Sequence, residues 1–192
     1  PWFNLVQQEV NADIANSMLA HYEKSVEKML PIWSFYGNET WCMIGYHAVS
    51  VLADMIVKQV PGFDYERAFE AMKRTATNPN YDCLPEYTKL GWVPFDKERE
   101  SVSKTLEYAY DDWAISRMAG AMGRDDVARE YAQRALNYAN VFDGSTCFFR
   151  GRGTDGNWSE PFEEFATGRD YTEATPWHYR FFVPHDVNGL AG

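Results

Sequence analysis

An all-α architecture is what this sequence predicts, and three observations carry it. Apolar residues return every three or four positions through several stretches, the spacing of one face of a helix. Capping residues and tight turns stand at the ends of those stretches. No alternation of strand-like runs with helical patterns occurs, which argues against a parallel sheet.

Glu9 to Leu30 reads as the first helix, with Val10, Ile14, Met18, Tyr22 and Val26 as its stripe and Pro31 as its stop. The turn-rich segment 34–40 leads into a second helix, Trp41 to about Lys58, with Ile44, Ala48, Val51, Leu52, Met55 and Ile56 facing inward. Asp64 caps a third, which runs to about Thr75 through Ala68, Phe69 and Met72. Asn78-Pro79, Pro85, Gly91 and Pro94 make Ala76 to Glu100 a long ordered loop, a type that is commonly functional.

Ser101 opens a fourth helix to Met122, closed by Gly123 in a left-handed cap. Asp125 caps a fifth, with Val127, Tyr131, Ala135 and Tyr138 as its stripe, and the short Gly123-Arg124 link makes the two an antiparallel hairpin. Phe142 to Asp170 is a second long loop, rich in glycine and rings, with Thr146 to Gly151 its best strand. A last short helix spans about Pro176 to Phe182, before Pro184. Helical hairpins joined by long loops fit either an open solenoid or a closed ring with its loops gathered over a pocket. The uneven linkers and the lack of a fixed repeat favour the ring.

Composition narrows the chemistry. The 192 residues are 45% hydrophobic and 24% charged, ordinary for a globular protein, but carry 12 Phe, 12 Tyr and 7 Trp, many of the Tyr and Trp in the expected loops. A net charge of −10 argues against nucleic acid as a partner, because phosphates need Lys and Arg. No run of about 18 apolar residues spans a membrane, and no signal segment is visible. Cys42, Cys83 and Cys147 lie far apart and read as small buried hydrophobes. His21, His47, His178 and His185 show no zinc spacing, so no metal site is expected from them.

Four constellations remain. In Tyr171–Asp186, Glu173 stands among Trp177, Tyr179, Phe181 and Phe182, where lost hydration would raise its pKa and make it a proton donor. The alternative is an acid at a helix N-terminus. In the fourth helix, Glu107 and Asp111 form a like-charge i, i+4 pair that requires an offsetting partner or sugar hydroxyls. Glu39, Trp41 and His47 could line a pocket, although His47 among Ile44, Tyr46 and Ala48 fits a core histidine better. His185 and Asp186 either contact substrate or close a turn toward Gly189. Acid plus rings points to carbohydrate chemistry, since aromatic faces stack on the C–H faces of sugars.

Three of these segments carry a resemblance: Gly37–His47, Ser101–Trp113, and Tyr171–Tyr179 followed by Val183–Asp186. Together they resemble glycoside hydrolase family 92, exo-acting, calcium-dependent α-mannosidases. The resemblance implies a catalytic domain built as an (α/α)6 toroid behind a β-sandwich, an inverting mechanism on terminal α-linked mannose, and Glu173 as the general acid. Glu39, Trp41, Asp111, Trp177, His185 and Asp186 are then expected to bind substrate, a mannose-containing glycan. It further implies that residues 1–192 are a segment of one toroid domain with an incomplete ring. The general base and calcium ligands would lie beyond Gly192, leaving the chain inactive by itself, and the longer protein would be secreted, periplasmic or at the cell surface. A non-catalytic carbohydrate-binding or helical scaffold module is the competing reading, and it needs the rings but not Glu173.

Overall fold

The computed structural model describes residues 2–191, which are helix-rich, with two short antiparallel ribbons as their named strands. Contacts divide the chain into two compact units, Pro1–Asn78 with Asp111–Ala132, and Pro79–Tyr110 with Gln133–Gly192.

The first unit holds α1 (Trp2–Val6), α2 (Gln8–Lys24), β1 (Ser34–Phe35), β2 (Asn38–Glu39), α3 (Ala48–Val57) and α4 (Tyr65–Thr75). It also holds the second half of α6 (Ser101–Ala121) and most of α7 (Asp125–Arg134). Helix α2 stops at Lys24, short of the expected Leu30, because the chain then finds better partners. Ser25 turns extended, the Leu30 N–H donates to Thr75 Oγ1 (2.9 Å), and Asn78 Nδ2 donates to the Glu27 carbonyl (3.1 Å). Met29 and Leu30 become buried, while Val26 is left 92% exposed. The buried face of α2 is also rotated from the expected stripe, to Asn11, Ala12, Ala15 and Leu19. Small side chains there let α2 pack on α4, and a Cβ on Gly62 would come within 2.9 Å of Ala12.

Helix α3 begins at Ala48 rather than Trp41. Trp41 (φ +50°) and Gly45 (φ +77°) are left-handed, so residues 41–47 cannot continue a helix. Helix α4 matches its expected bounds, with the Asp64 carboxylate accepting from the Arg67 N–H (3.1 Å). After α6, Gly123 is left-handed as expected (φ +70°), and the Arg124 N–H closes the turn onto the Ala119 carbonyl (2.8 Å). Asp125 lies inside the first turn of α7, where its charge meets the helix N-terminus, instead of preceding it.

The second unit holds α5 (Leu84–Leu90), the first half of α6, a 3-10 helix (Ala135–Val141), β3 (Phe142–Asp143), β4 (Phe148–Phe149), α8 (Pro176–Tyr179) and α9 (Val187–Ala191). Helix α5 interrupts the expected loop. Pro85 in its first turn and left-handed Gly91 (φ +85°) at its end are start and stop signals for a helix, not loop markers. Strand β4 is shorter than expected and pairs with β3, Phe142 opposite Phe149. Around them packs a core of Val102, Leu106, Ala109, Tyr138, Val141, Phe149, Tyr171 and Val183.

The cysteines depart from expectation. Cys42 and Cys147 are exposed and Cys83 is partly so.

Candidate active site

Each unit assembles one group of the expected site residues. In the first, the β1–β2 turn folds around Glu39. Its carboxylate accepts from the backbone N–H groups of Ile32 (2.7 Å), Trp33 (2.8 Å), Thr40 (2.9 Å) and Trp41 (3.0 Å), and from Ser34 Oγ (3.2 Å). Burial alone would push its pKa up, but these bonds outweigh that and hold it below the ordinary value. The Glu39 carboxylate therefore organises the loop that carries Trp41.

Asp111 is fully buried on α6. Its Oδ2 accepts from the Tyr46 N–H (2.7 Å) and its Oδ1 lies 2.9 Å from His47 Nδ1, while the Tyr46 hydroxyl donates to Asp112 (2.9 Å). Burial raises the Asp111 pKa, opposed by the bonds from His47 and Tyr46. With Asp111 as the carboxylate, Nδ1 of His47 carries the proton. The His47 side chain is 43% exposed, so Asp111 stands behind it and positions it. Asp111 is thus enclosed behind the imidazole, and His47, partly exposed, is not the core histidine its apolar neighbours suggest. Gly45 makes room for the pair, since a Cβ there would sit 2.6 Å from the imidazole.

In the second unit the Glu173 segment is anchored at both ends. The α6 N-terminus lacks intrahelical acceptors for its first N–H groups. The Glu100 N–H donates to the Arg169 carbonyl (2.7 Å), Val102 and Ser103 donate to the Asp170 carbonyl (3.0 and 3.3 Å), and the Thr172 N–H donates to Ser103 Oγ (2.9 Å). At the other end Thr175 caps α8, and its backbone N–H and hydroxyl both reach His178 Nδ1 (3.2 and 2.9 Å). Between these anchors Glu173 adopts φ +50° with its side chain exposed. The ring cage expected to desolvate it does not form within this chain. Tyr179 and Phe182 pack on the core, whereas Phe181 is exposed.

Trp177 and its surroundings do form a platform. The indole meets Phe148 edge-on (4.9 Å, 89°), and the Arg180 guanidinium lies 4.9 Å from the indole centre and 4.8 Å from that of Phe148. Exposed Phe165 extends the surface at 6.5 Å from Trp177. Glu173, Trp177 and Arg180 thus belong to one short stretch, and Phe148 and Phe165 from the preceding loop complete the platform.

His185 and Asp186 both bond to the chain around Tyr138. His185 Nε2 donates to the Ala135 carbonyl (2.9 Å) and the ring packs against Tyr138, with burial lowering its pKa. Asp186 accepts from the Tyr138 hydroxyl (2.7 Å) and the Gly189 N–H (3.0 Å), bonds that lower its pKa, while burial of the phenol and then its bond to Asp186 push Tyr138 up to about 12. Asp186 thus closes the turn onto Gly189.

Sequence reasoning missed a buried ion network. Arg150 donates to Asp143 (2.7 Å), Glu160 (2.8 Å) and the Ser159 carbonyl (2.9 Å), and holds the Gly-rich loop to the β3–β4 ribbon. The Asp143-x-Ser145 spacing was the available signal, since it marks a turn in which Asp accepts from the residue two positions on.

A helix-rich chain that presents an exposed carboxylate and an exposed tryptophan on one anchored segment, with further rings packed against the tryptophan, fits a carbohydrate-active catalytic domain. Residues 1–192 match the glycosyl hydrolase family 92 catalytic domain throughout, and the chain belongs to that family. It is 66% identical to the family GH92 α-mannosidase BT3965 from Bacteroides thetaiotaomicron, with a TM-score of 0.97 over 99% of this chain and 26% of that one. The structure of that enzyme with mannoimidazole gives the same TM-score at 64% identity. The family GH92 inverting mannosidase BT2199 from the same organism is 35% identical, with a TM-score of 0.93 over 100% of this chain and 26% of that one. A curated relative, an uncharacterized secreted glycosidase of Arthroderma benhamiae, is 25% identical over 185 residues, 76% of this chain and 24% of its own length. The chain therefore spans about a quarter of the length of these relatives.

Proposed function

We propose that these residues form part of the (α/α)6 catalytic domain of an inverting exo-α-mannosidase, with Glu173 as the general acid. The observation that carries the reading is the backbone at Glu173. A non-glycine residue at φ +50° is held there by hydrogen bonds on both sides, and such strain concentrates where a side chain must be aimed. The exposed carboxyl group would protonate the leaving glycosidic oxygen. Trp177 and its neighbours would stack on a sugar face, and Asp111 would act through His47. The carboxylate that activates water is assigned to no residue here. Among the described residues no three His, Cys, Asp or Glu side chains cluster so as to hold a metal. No helix among the described residues is long and apolar enough to cross a membrane, and a secreted setting is supported by the curated relative's name.

Glu173→Gln in a longer chain carrying these residues tests the reading. Turnover of mannosides with poor leaving groups is expected to fall about 10²–10⁴-fold, and that of activated aryl mannosides far less. Equal turnover by variant and parent on the poor leaving groups would sink it.

A further inference from the structure

Thr172, the residue before Glu173, is held through both of its peptide groups. Its N–H donates to Ser103 Oγ (2.9 Å), and its carbonyl accepts from the Tyr179 hydroxyl (3.4 Å). Ser103 is fully buried in the first turn of α6, where its own N–H donates to the Asp170 carbonyl (3.3 Å). Tyr179 is the last residue of α8, and its ring packs against Tyr171 (6.1 Å between centroids) and Phe182 (5.8 Å), which fixes where the hydroxyl points. Burial raises the Tyr179 pKa, and a bond with the Ser103 side chain opposes the rise, so the two hydroxyls also meet each other.

A hydroxyl donates and accepts at once, so the three bonds close into a ring. The Thr172 N–H gives to Ser103, the Ser103 O–H gives to Tyr179, and the Tyr179 O–H gives to the Thr172 carbonyl. Hydrogen bonds linked in this way polarise and strengthen one another. The ring sits directly before the strained residue: the Thr172 carbonyl belongs to the peptide from which Glu173 turns to φ +50°, a conformation that persists only where its surroundings over-determine it. Two residues, Glu173 and Ala174, then separate that peptide from the Thr175 cap. Loss of either hydroxyl would free the entry to this short link while the cap still holds its exit.

We infer that Ser103 and Tyr179 are positioning residues for Glu173, acting through the backbone of Thr172. The inference rests on the reading of Glu173 as the general acid, because proton transfer needs the carboxyl group within hydrogen-bond reach of the leaving oxygen. Neither side chain has to touch the sugar. Their work is to hold the direction in which the carboxyl group leaves the backbone.

The test compares Tyr179→Phe, Ser103→Ala, the two combined and Glu173→Gln, all in a longer chain carrying these residues. Turnover is measured on a mannoside with a poor leaving group and on an activated aryl mannoside. Each loss of one hydroxyl is expected to lower kcat about tenfold on the poor leaving group with KM held, and to leave the activated substrate nearly unchanged, the pattern of a misaimed acid. The combined variant is expected to lose no more than either single one, because one break opens the whole ring. Equal losses on both substrates, no loss on either, or losses that multiply in the combined variant overturn the inference. Glu173→Gln separates it from the reading beneath it. A loss confined to the poor leaving group in Glu173→Gln, with none in the hydroxyl variants, refutes the positioning role alone, whereas no such loss in Glu173→Gln defeats both. Should Ser103→Ala fail to fold, Tyr179→Phe decides by itself, since it keeps the ring and removes only the hydroxyl.

Discussion

Asp143→Asn should remove a pH-dependent share of stability from the second unit, and its size follows from the surroundings of the carboxylate. Burial would raise the Asp143 pKa, but Ser145 Oγ (2.7 Å), the Arg150 guanidinium (2.7 Å) and the Ser145 N–H (2.9 Å) together hold it at about 2 instead of 3.8. Nearly two pH units at about 1.36 kcal/mol each make the ionised form worth about 2 kcal/mol to the folded state. Because the folded pKa is the lower one, that contribution is complete above the unfolded value. It drains as pH falls through the folded one, mostly between about pH 5 and pH 2. The substitution also strands Arg150, and breaking one side of a buried ion pair costs about 3–5 kcal/mol. Glu160 and the Ser159 carbonyl still hold the guanidinium, so the lower end, about 3 kcal/mol at pH 7, is expected. Denaturant unfolding of parent and variant from pH 7 to pH 2, followed by Trp fluorescence, measures the gap. A gap that stays constant across that range, or is below about 1 kcal/mol at pH 7, refutes the reasoning.

Two further substitutions probe the His47 group. Asp111→Asn should reverse the His47 tautomer, because the Tyr46 N–H claims the amide oxygen and leaves the amide NH₂ facing Nδ1; imidazole ¹⁵N shifts report this, and a retained Nδ1 proton counts against the geometry. Gly45→Ala should cost about 1–3 kcal/mol, combining a left-handed backbone with a 2.6 Å approach to the imidazole, and should release His47 from Asp111. A variant as stable as the parent, with the His47 signal unmoved, would show that the ring has room to shift.

The parts legible in the sequence are those specified locally. Asp64 before α4 and Gly123 after α6 each act on neighbours within a turn, and pattern alone places each. What was not legible depends on partners far along the chain. The end of α2 is set by Thr75 and Asn78, about fifty residues away, and the late start of α3 accompanies a bond between His47 and Asp111. Glu39 and Asp111 were singled out as acids, but no spacing rule reveals that one is saturated by backbone N–H groups and the other is buried behind an imidazole. Helix α5 was hidden for a different reason: Pro85 and Gly91 mark helix ends as readily as loops, and seven residues are too few for a periodic signal.

The same distinction explains why the Glu173 segment stood out while its mechanism of placement did not. Left-handed backbone at a non-glycine residue costs about 1–3 kcal/mol and persists only where surrounding bonds over-determine it. Here the determining bonds come from α6, whose unpaired N–H groups need acceptors in any case, so the carbonyls of Arg169 and Asp170 satisfy the helix and fix the loop together. The Thr175 cap then fixes the exit by the same logic at the start of α8. Among the described residues the rings near it in sequence turn elsewhere, Tyr179 and Phe182 to the core and Phe181 to the surface. The residue is presented instead by two helix termini, a device that aims the carboxylate outward and leaves its environment to be completed by what binds there.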